Sequence, residues 1–171
     1  MRIPSGLIAA VLVVLCGCAT PSVPDQGGPL EGAWRLTGLV DVAADGTRAD
    51  FTPQESLFLF QGAHYSVAYA QGDERFPSYA EAFAPTDEES VARFGSMTVN
   101  TGTFEVSGST VTLRPLFALV PEFVGGFAEV DYELTGDDLT LTWGRTMSSA
   151  GVERSFTAGG GSTELRLTRV R

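Results

Sequence analysis

The chain has 171 residues, with 21 acidic side chains against 11 basic ones and a formal net charge of −10. That length suits one domain with a sizeable core, and the charge repels phosphate backbones, which excludes a nucleic-acid role. Both cysteines, Cys16 and Cys18, lie near the start, so the body of the chain has no thiol for a disulfide or a cysteine-based metal site.

Met1-Arg2 places one positive charge ahead of an apolar run from Leu7 to Leu15. A membrane-spanning helix needs about 20 residues, so this shorter run reads as the core of a secretory signal. Leu15-Cys16-Gly17-Cys18 then resembles the lipobox of bacterial lipoproteins: an aliphatic residue, a variable one, a small one and the acceptor cysteine. Cys18 fits better than Cys16, which follows a bulky leucine. The resemblance implies a signal peptide over 1–17, cleavage before Cys18, and a diacylglyceryl group on its thiol with a further acyl chain, such as palmitate, on its amine. Two or more chains suffice for stable anchoring. The expected location is the bacterial cell envelope, with the membrane as partner through the lipid. Ala19, where an aspartate commonly retains lipoproteins in the inner membrane, implies the outer membrane if the cell is diderm. Loss of Arg2 leaves ten basic residues, for a mature charge of 10 − 21 = −11.

Residues 18–29 are rich in Pro, Gly, Ser and Gln and read as a flexible tether, leaving 30–171 as one domain. Its pattern is strand-like. Ala33–Val42 carries Trp34, Leu36 and Val40 and ends at the turn Asp45-Gly46. Ser56–Gln61 is a short apolar run bounded by Pro53 and Gly62. His64–Ala70 alternates, with Tyr65, Val67 and Tyr69 on one face. Thr86-Asp87-Glu88-Glu89 has the form of a capping box, predicting one short helix through Phe94, set across a barrel mouth. Two hairpins follow, one turning at Ser107-Gly108-Ser109 and one at Thr135-Gly136-Asp137-Asp138. Gly159-Gly160-Gly161 reads as a flexible loop before the last alternating run, Glu164–Thr168. About eight strands with mostly tight turns imply a closed antiparallel up-and-down β-barrel or a sandwich.

Leu30-Glu31-Gly32-Ala33-Trp34 resembles the Gly-x-Trp opening of lipocalins and of bacterial lipocalin-like domains. Gly102-Thr103-Phe104-Glu105-Val106 and the run Tyr132–Leu141 are similar to later strands of those bacterial domains. The resemblance covers most of residues 30–170 in the expected order, and implies an all-β, lipocalin-like barrel. It also implies that Trp34 closes the barrel floor beneath an arginine of the last strand, Arg166 or Arg169. The Thr-Asp-Tyr signature of animal lipocalins is not recognisable, and a shared fold carries no function by itself.

His64, the single histidine, sits beside a turn and reads as solvated; one histidine without a free cysteine begins no zinc site. Asp87, Glu88 and Glu89 are accounted for by capping rather than calcium, and no Gly-x-Ser-x-Gly elbow is present. No catalytic residue, metal ligand or cofactor is therefore assigned, and the expectation is a protein that is not an enzyme. The candidates for ligand binding are the strand aromatics Trp34, Phe58, Phe60, Tyr65, Tyr69, Phe104, Tyr132 and Trp143; Phe117, Phe123 and Phe127, around Gly125-Gly126, are candidates for a mouth rim. Small eight-stranded barrels either fill their interior or hold one small ligand. Two readings follow: a carrier of a small hydrophobic molecule, or a filled barrel acting on an envelope partner through its outer surface. Interior volume discriminates them, roughly 300 Å³ or more favouring the carrier. A third, an isomerase or cyclase in a barrel pocket, lacks a placed acid–base pair.

Overall fold

The computed structural model describes residues 28–71 and 75–171; the signal segment, Cys18 and nearly all of the tether lie outside the described residues. From a short 3-10 turn at Gly28–Leu30 the chain runs through β1 (Gly32–Val42), β2 (Arg48–Phe51), β3 (Pro53–Gln61), β4 (His64–Gln71), α1 (Asp87–Gly95) and β5 (Met97–Ser107). It continues with β6 (Thr110–Ala118), β7 (Phe127–Thr135), β8 (Asp138–Met147), α2 (Ser155–Ala158) and β9 (Ser162–Arg169). β1 pairs antiparallel with both β2 and β3, each strand from β3 onward pairs antiparallel with the next, and β1 closes on β9. β2 and β3 flank β1 in succession and meet at Thr52-Pro53, so they act as one bent strand and the closed barrel has eight staves. Closure leaves no long edge to template aggregation. The expected up-and-down barrel is therefore present.

The connections are sorted by end. At one end, two-residue turns join β3–β4, β5–β6 and β7–β8, each with a left-handed glycine first: Gly62, Gly108 and Gly136. That is the glycine placement of type II′ hairpins, whose twist matches the flanking strands. At the other end lie the longer links, 43–47, 72–96, 119–126 and 148–161. The first end is a floor and the second a mouth.

Four register shifts interrupt the ladders: between Leu36 and Gly38 in β1, between Pro53 and Ser56 in β3, opposite Thr101/Gly102 in β6, and opposite Ala128/Val130 in β8. A bulge adds a residue to one strand and reverses which parity of side chains faces inward beyond it. Floorward of these shifts, alternation holds as read from the sequence, and the interior is solid with Trp34, Leu36, Phe58, Phe60, Phe104 and Leu167, all buried.

Two short α-helices are present where one was expected. α2 is a single turn ending at Gly159, and the stretch read as a flexible glycine loop folds back so that Gly161 lies against the Phe156 ring. Four residues carry too little periodicity to be seen in a sequence. α1 forms as its capping box predicts: Glu89 N–H donates to Thr86 Oγ1 at 3.2 Å, and Thr86 N–H to Glu89 Oε2 at 2.8 Å. It stands at the mouth end with no buried residue and gives no side chain to the cavity described below.

The capping hydrogen bonds from the Thr86 and Ala80 backbone hold the Glu89 carboxyl below its ordinary value of 4.5. A depressed carboxylate pKa contributes order that is complete above the unfolded value and lost as pH falls through the folded one. The protection of the α1 amides relative to their intrinsic exchange is thus expected to fall below about pH 4.5 while the barrel amides stay protected. Thr86→Ala, which typically costs about 1 kcal/mol, is expected to produce the same fraying at neutral pH. Unchanged α1 exchange in both experiments would show that the cap does not hold the helix.

Candidate functional site

The floor is built around Trp34. Its indole is fully buried, and Nε1–H donates to the Leu30 carbonyl at 2.9 Å, tying the entering chain beneath the barrel. The Arg169 guanidinium stands 4.1 Å from the ring centroid and donates from Nη1 to the Glu31 carbonyl at 2.6 Å. Of the two arginines open on sequence, Arg169 is the one on the tryptophan. Arg166 points outward and pairs with Glu164 at 2.7 Å. The first motif glycine now has a reason. Gly32 has φ +129°, and a Cβ there would come within 2.6 Å of Arg169 Nη1.

Five of the sequence candidates, Trp34, Phe58, Phe60, Tyr65 and Phe104, are buried in this filled floor half. Phe60 and Phe104 meet edge to face with centroids 5.2 Å apart. Tyr132 packs against the core from the floor rim, and its hydroxyl donates to the Gly108 carbonyl at 3.2 Å. His64 is exposed in the β3–β4 hairpin, at the end away from the mouth.

The mouth half is not filled. A cavity of about 720 Å³ opens there, with Tyr69 and Trp143, the remaining two candidates, on its wall. Phe58 stacks on Tyr69 at 5.8 Å and forms part of the packing beneath it. Phe123 also lines the cavity, as expected of a rim residue, whereas Phe117 faces solvent and the Phe127 ring carries Arg114 and Arg145 nearby. The β6–β7 and β8–β9 links join across the rim, where Ser149 N–H donates to the Glu122 carbonyl at 3.0 Å.

Set among the apolar walls are polar groups that sequence reading did not single out: Asp41, Thr98, Asn100, Thr146, Thr163 and, at the rim, Arg154. Asp41 Oδ1 accepts from Thr163 Oγ1 at 2.6 Å. Asn100 is only 4% exposed, and its Oδ1 has no hydrogen-bond partner; neither has Thr146 Oγ1. Burial pushes the Tyr69 phenol above its ordinary value of 10.0; Asp41 adds to the rise, while Thr98, Arg154 and Gln71 reverse part of it. The phenol is therefore a neutral donor at physiological pH. Burial alone pushes up Tyr65, whose hydroxyl also has no partner.

Bulges explain how these groups reach the interior. Trp34 and Leu36 face inward; without a shift, Val40 and Val42 would follow. The unpaired Thr37 reverses the parity, and Leu39 and Asp41 turn in. In β8, Trp143 faces in and Gly144-Arg145 together oppose Glu129, so Thr146 joins the wall. In β6 the extra Leu116 turns Ala118 inward beside Asn100. Asn100 itself shares the parity of Phe104 along β5, so alternation alone would have found it. The site thus presents apolar walls, neutral hydrogen-bonding groups and one inward carboxylate.

No protein-family model matches the chain, and comparison with curated proteins and with solved structures finds no match.

Proposed function

We propose that the protein is a lipid-anchored lipoprotein of the bacterial envelope whose lipocalin-like barrel holds a small, largely apolar molecule in its mouth cavity. One observation carries the ligand reading: a largely apolar cavity of about 720 Å³ whose wall includes Asn100, a buried residue whose Oδ1 has no hydrogen-bond partner. The volume lies within the roughly 300–1,000 Å³ of small-molecule sites, which are mostly apolar with a few polar groups fixing orientation. An unpaired buried acceptor costs about 1–3 kcal/mol, which a ligand bearing a hydroxyl or amine offsets. The sealed floor under Trp34 and Arg169 supports the lipocalin-like reading, because it leaves the barrel open at one end only. The filled-barrel alternative describes the floor half and not the mouth.

Trp143 supplies the test. A Cys18→Ser chain, secreted without lipid, is titrated with 1-dodecanol while tryptophan emission is followed. Saturable change is expected, and Trp143→Phe is expected to abolish it, because Trp34 is fully buried at the floor. No saturation, together with a clean apo mass in native mass spectrometry of protein from its own envelope, would leave the outer-surface reading.

The anchor has its own expected outcome. Cys18→Ser moves the protein from the membrane to the soluble fraction, or leaves it uncleaved. Retention of a processed Cys18→Ser chain on membranes would remove the lipobox assignment.

A further inference from the structure

The mouth cavity carries an uneven charge. Among the described residues its wall and rim hold three carboxylates, Asp41, Glu122 and Glu153, against one guanidinium, Arg154. The Arg154 guanidinium lies over the Phe156 ring, 5.7 Å from its centroid, and its charge is felt at the Tyr69 hydroxyl. Asp41 is the inward member. It takes one hydrogen bond, from Thr163, and no cation pairs with it among the described residues. A carboxylate offers about four acceptor positions, so most of its capacity faces the cavity. The remaining wall groups, Asn100, Tyr69, Thr98 and Thr146, are uncharged. Nothing in this set compensates a negative ligand except Arg154 at the rim.

We propose that the cavity selects its ligand by head-group charge: Asp41, with the uncharged Asn100 elsewhere on the same wall, favours a cationic or hydroxylated amphiphile and rejects a carboxylate of the same chain length. This rests on reading the cavity as a ligand site. A favourable charge at about 6 Å in an effective dielectric of about 20 is worth a tenfold or larger difference in affinity. The hydroxylated ligand falls between, because it pairs with Asn100 and Asp41 without a charge.

The test is calorimetric titration of the full Cys18→Ser chain with three probes of equal length: dodecylammonium, 1-dodecanol and dodecanoate. Each is kept below its micelle concentration, at about 0.15 M salt to screen the acidic surface. Dodecylammonium is expected to bind at least about tenfold tighter than dodecanoate, with the alcohol intermediate. Asp41→Asn, which keeps a side chain able to accept from Thr163, is expected to shrink that gap at least about threefold. Ala118→Phe, placed on the cavity wall, is expected to abolish binding of all three.

Equal affinities, or tighter binding of dodecanoate, would overturn the head-group proposal and leave the cavity a binding site. Binding of none of the three would overturn the cavity reading itself. Ammonium binding that survives Ala118→Phe would assign it to the acidic surface and overturn the proposal. The comparison of probes is made on the unaltered cavity, so it decides the question even if a variant fails to fold.

Discussion

Trp34→Ala is expected to destabilise the protein by about 3–5 kcal/mol in urea unfolding, the range for emptying a buried tryptophan site. The expectation is specific because the side chain does three things at once. It fills the floor at zero exposure, holds the Leu30 carbonyl through Nε1, and lies under the Arg169 guanidinium. Removing it leaves the Leu30 carbonyl without its donor and the Arg169 guanidinium without the ring beneath it. For a domain of this size the melting temperature should fall on the order of 10 °C. Trp34→Phe separates the contributions, since it restores most of the volume and none of the hydrogen bond. A near-neutral Trp34→Ala would mean that the floor is held by the strand ladder alone.

Gly102→Ala is the second large effect, and it comes from backbone rather than side-chain space. A Cβ on Gly102 would sit 2.0 Å from the Arg114 carbonyl oxygen and 2.8 Å from Pro115 Cα. Neither atom belongs to a flexible side chain. Accommodation requires β5 and β6 to move apart at the register shift where Leu116 is squeezed out of the ladder. Overpacking typically costs about 1–3 kcal/mol, and a clash with paired backbone belongs at the upper end. The variant should therefore unfold at markedly lower urea and lose exchange protection first along β5 and β6. Wild-type stability in Gly102→Ala would show that the two strands are slack at this point.

The same two glycines show what could be read from sequence. Gly32 and Gly102 both stand in motifs; a Cβ on Gly102 would meet paired backbone, and one on Gly32 would displace the Arg169 guanidinium from a residue already at φ +129°. Eight of the strands, two of the tight hairpins and the capping box are legible because each depends on local chemistry: alternation, a turn glycine, or a Thr and a Glu three residues apart. The filled half followed from the same alternation, so Phe58, Phe60 and Phe104 lie where the pattern puts them. The cavity was less legible. Its carboxylate, Asp41, reaches the interior only because Thr37 is extra, and an extra residue leaves no mark in composition or periodicity. Thr146 turns in for the same reason. Asn100 shares the inward parity of Phe104, so simple counting places it inside, but a single asparagine on a strand carries no ligand signal of its own. The choice between Arg166 and Arg169 is settled by the same alternation, because Arg169 shares the inward parity of Leu165 and Leu167 and Arg166 does not.

The seam between β1 and β9 sets an order of events. Arg169 meets the Glu31 carbonyl across 138 residues of chain, and Val170 N–H donates to the Ala33 carbonyl at 2.8 Å. A chain made from its N-terminus cannot form these contacts until Arg169 and Val170 have left the ribosome. Until then Trp34 lacks its cation and β1 lacks one of its two neighbours, so every growing intermediate is an open sheet with both edges bare. Contacts of such long sequence separation are paid for in chain entropy before they return anything, which makes closure late and slow. The barrel thus cannot close until β9 is made, however early the other strands have been translated.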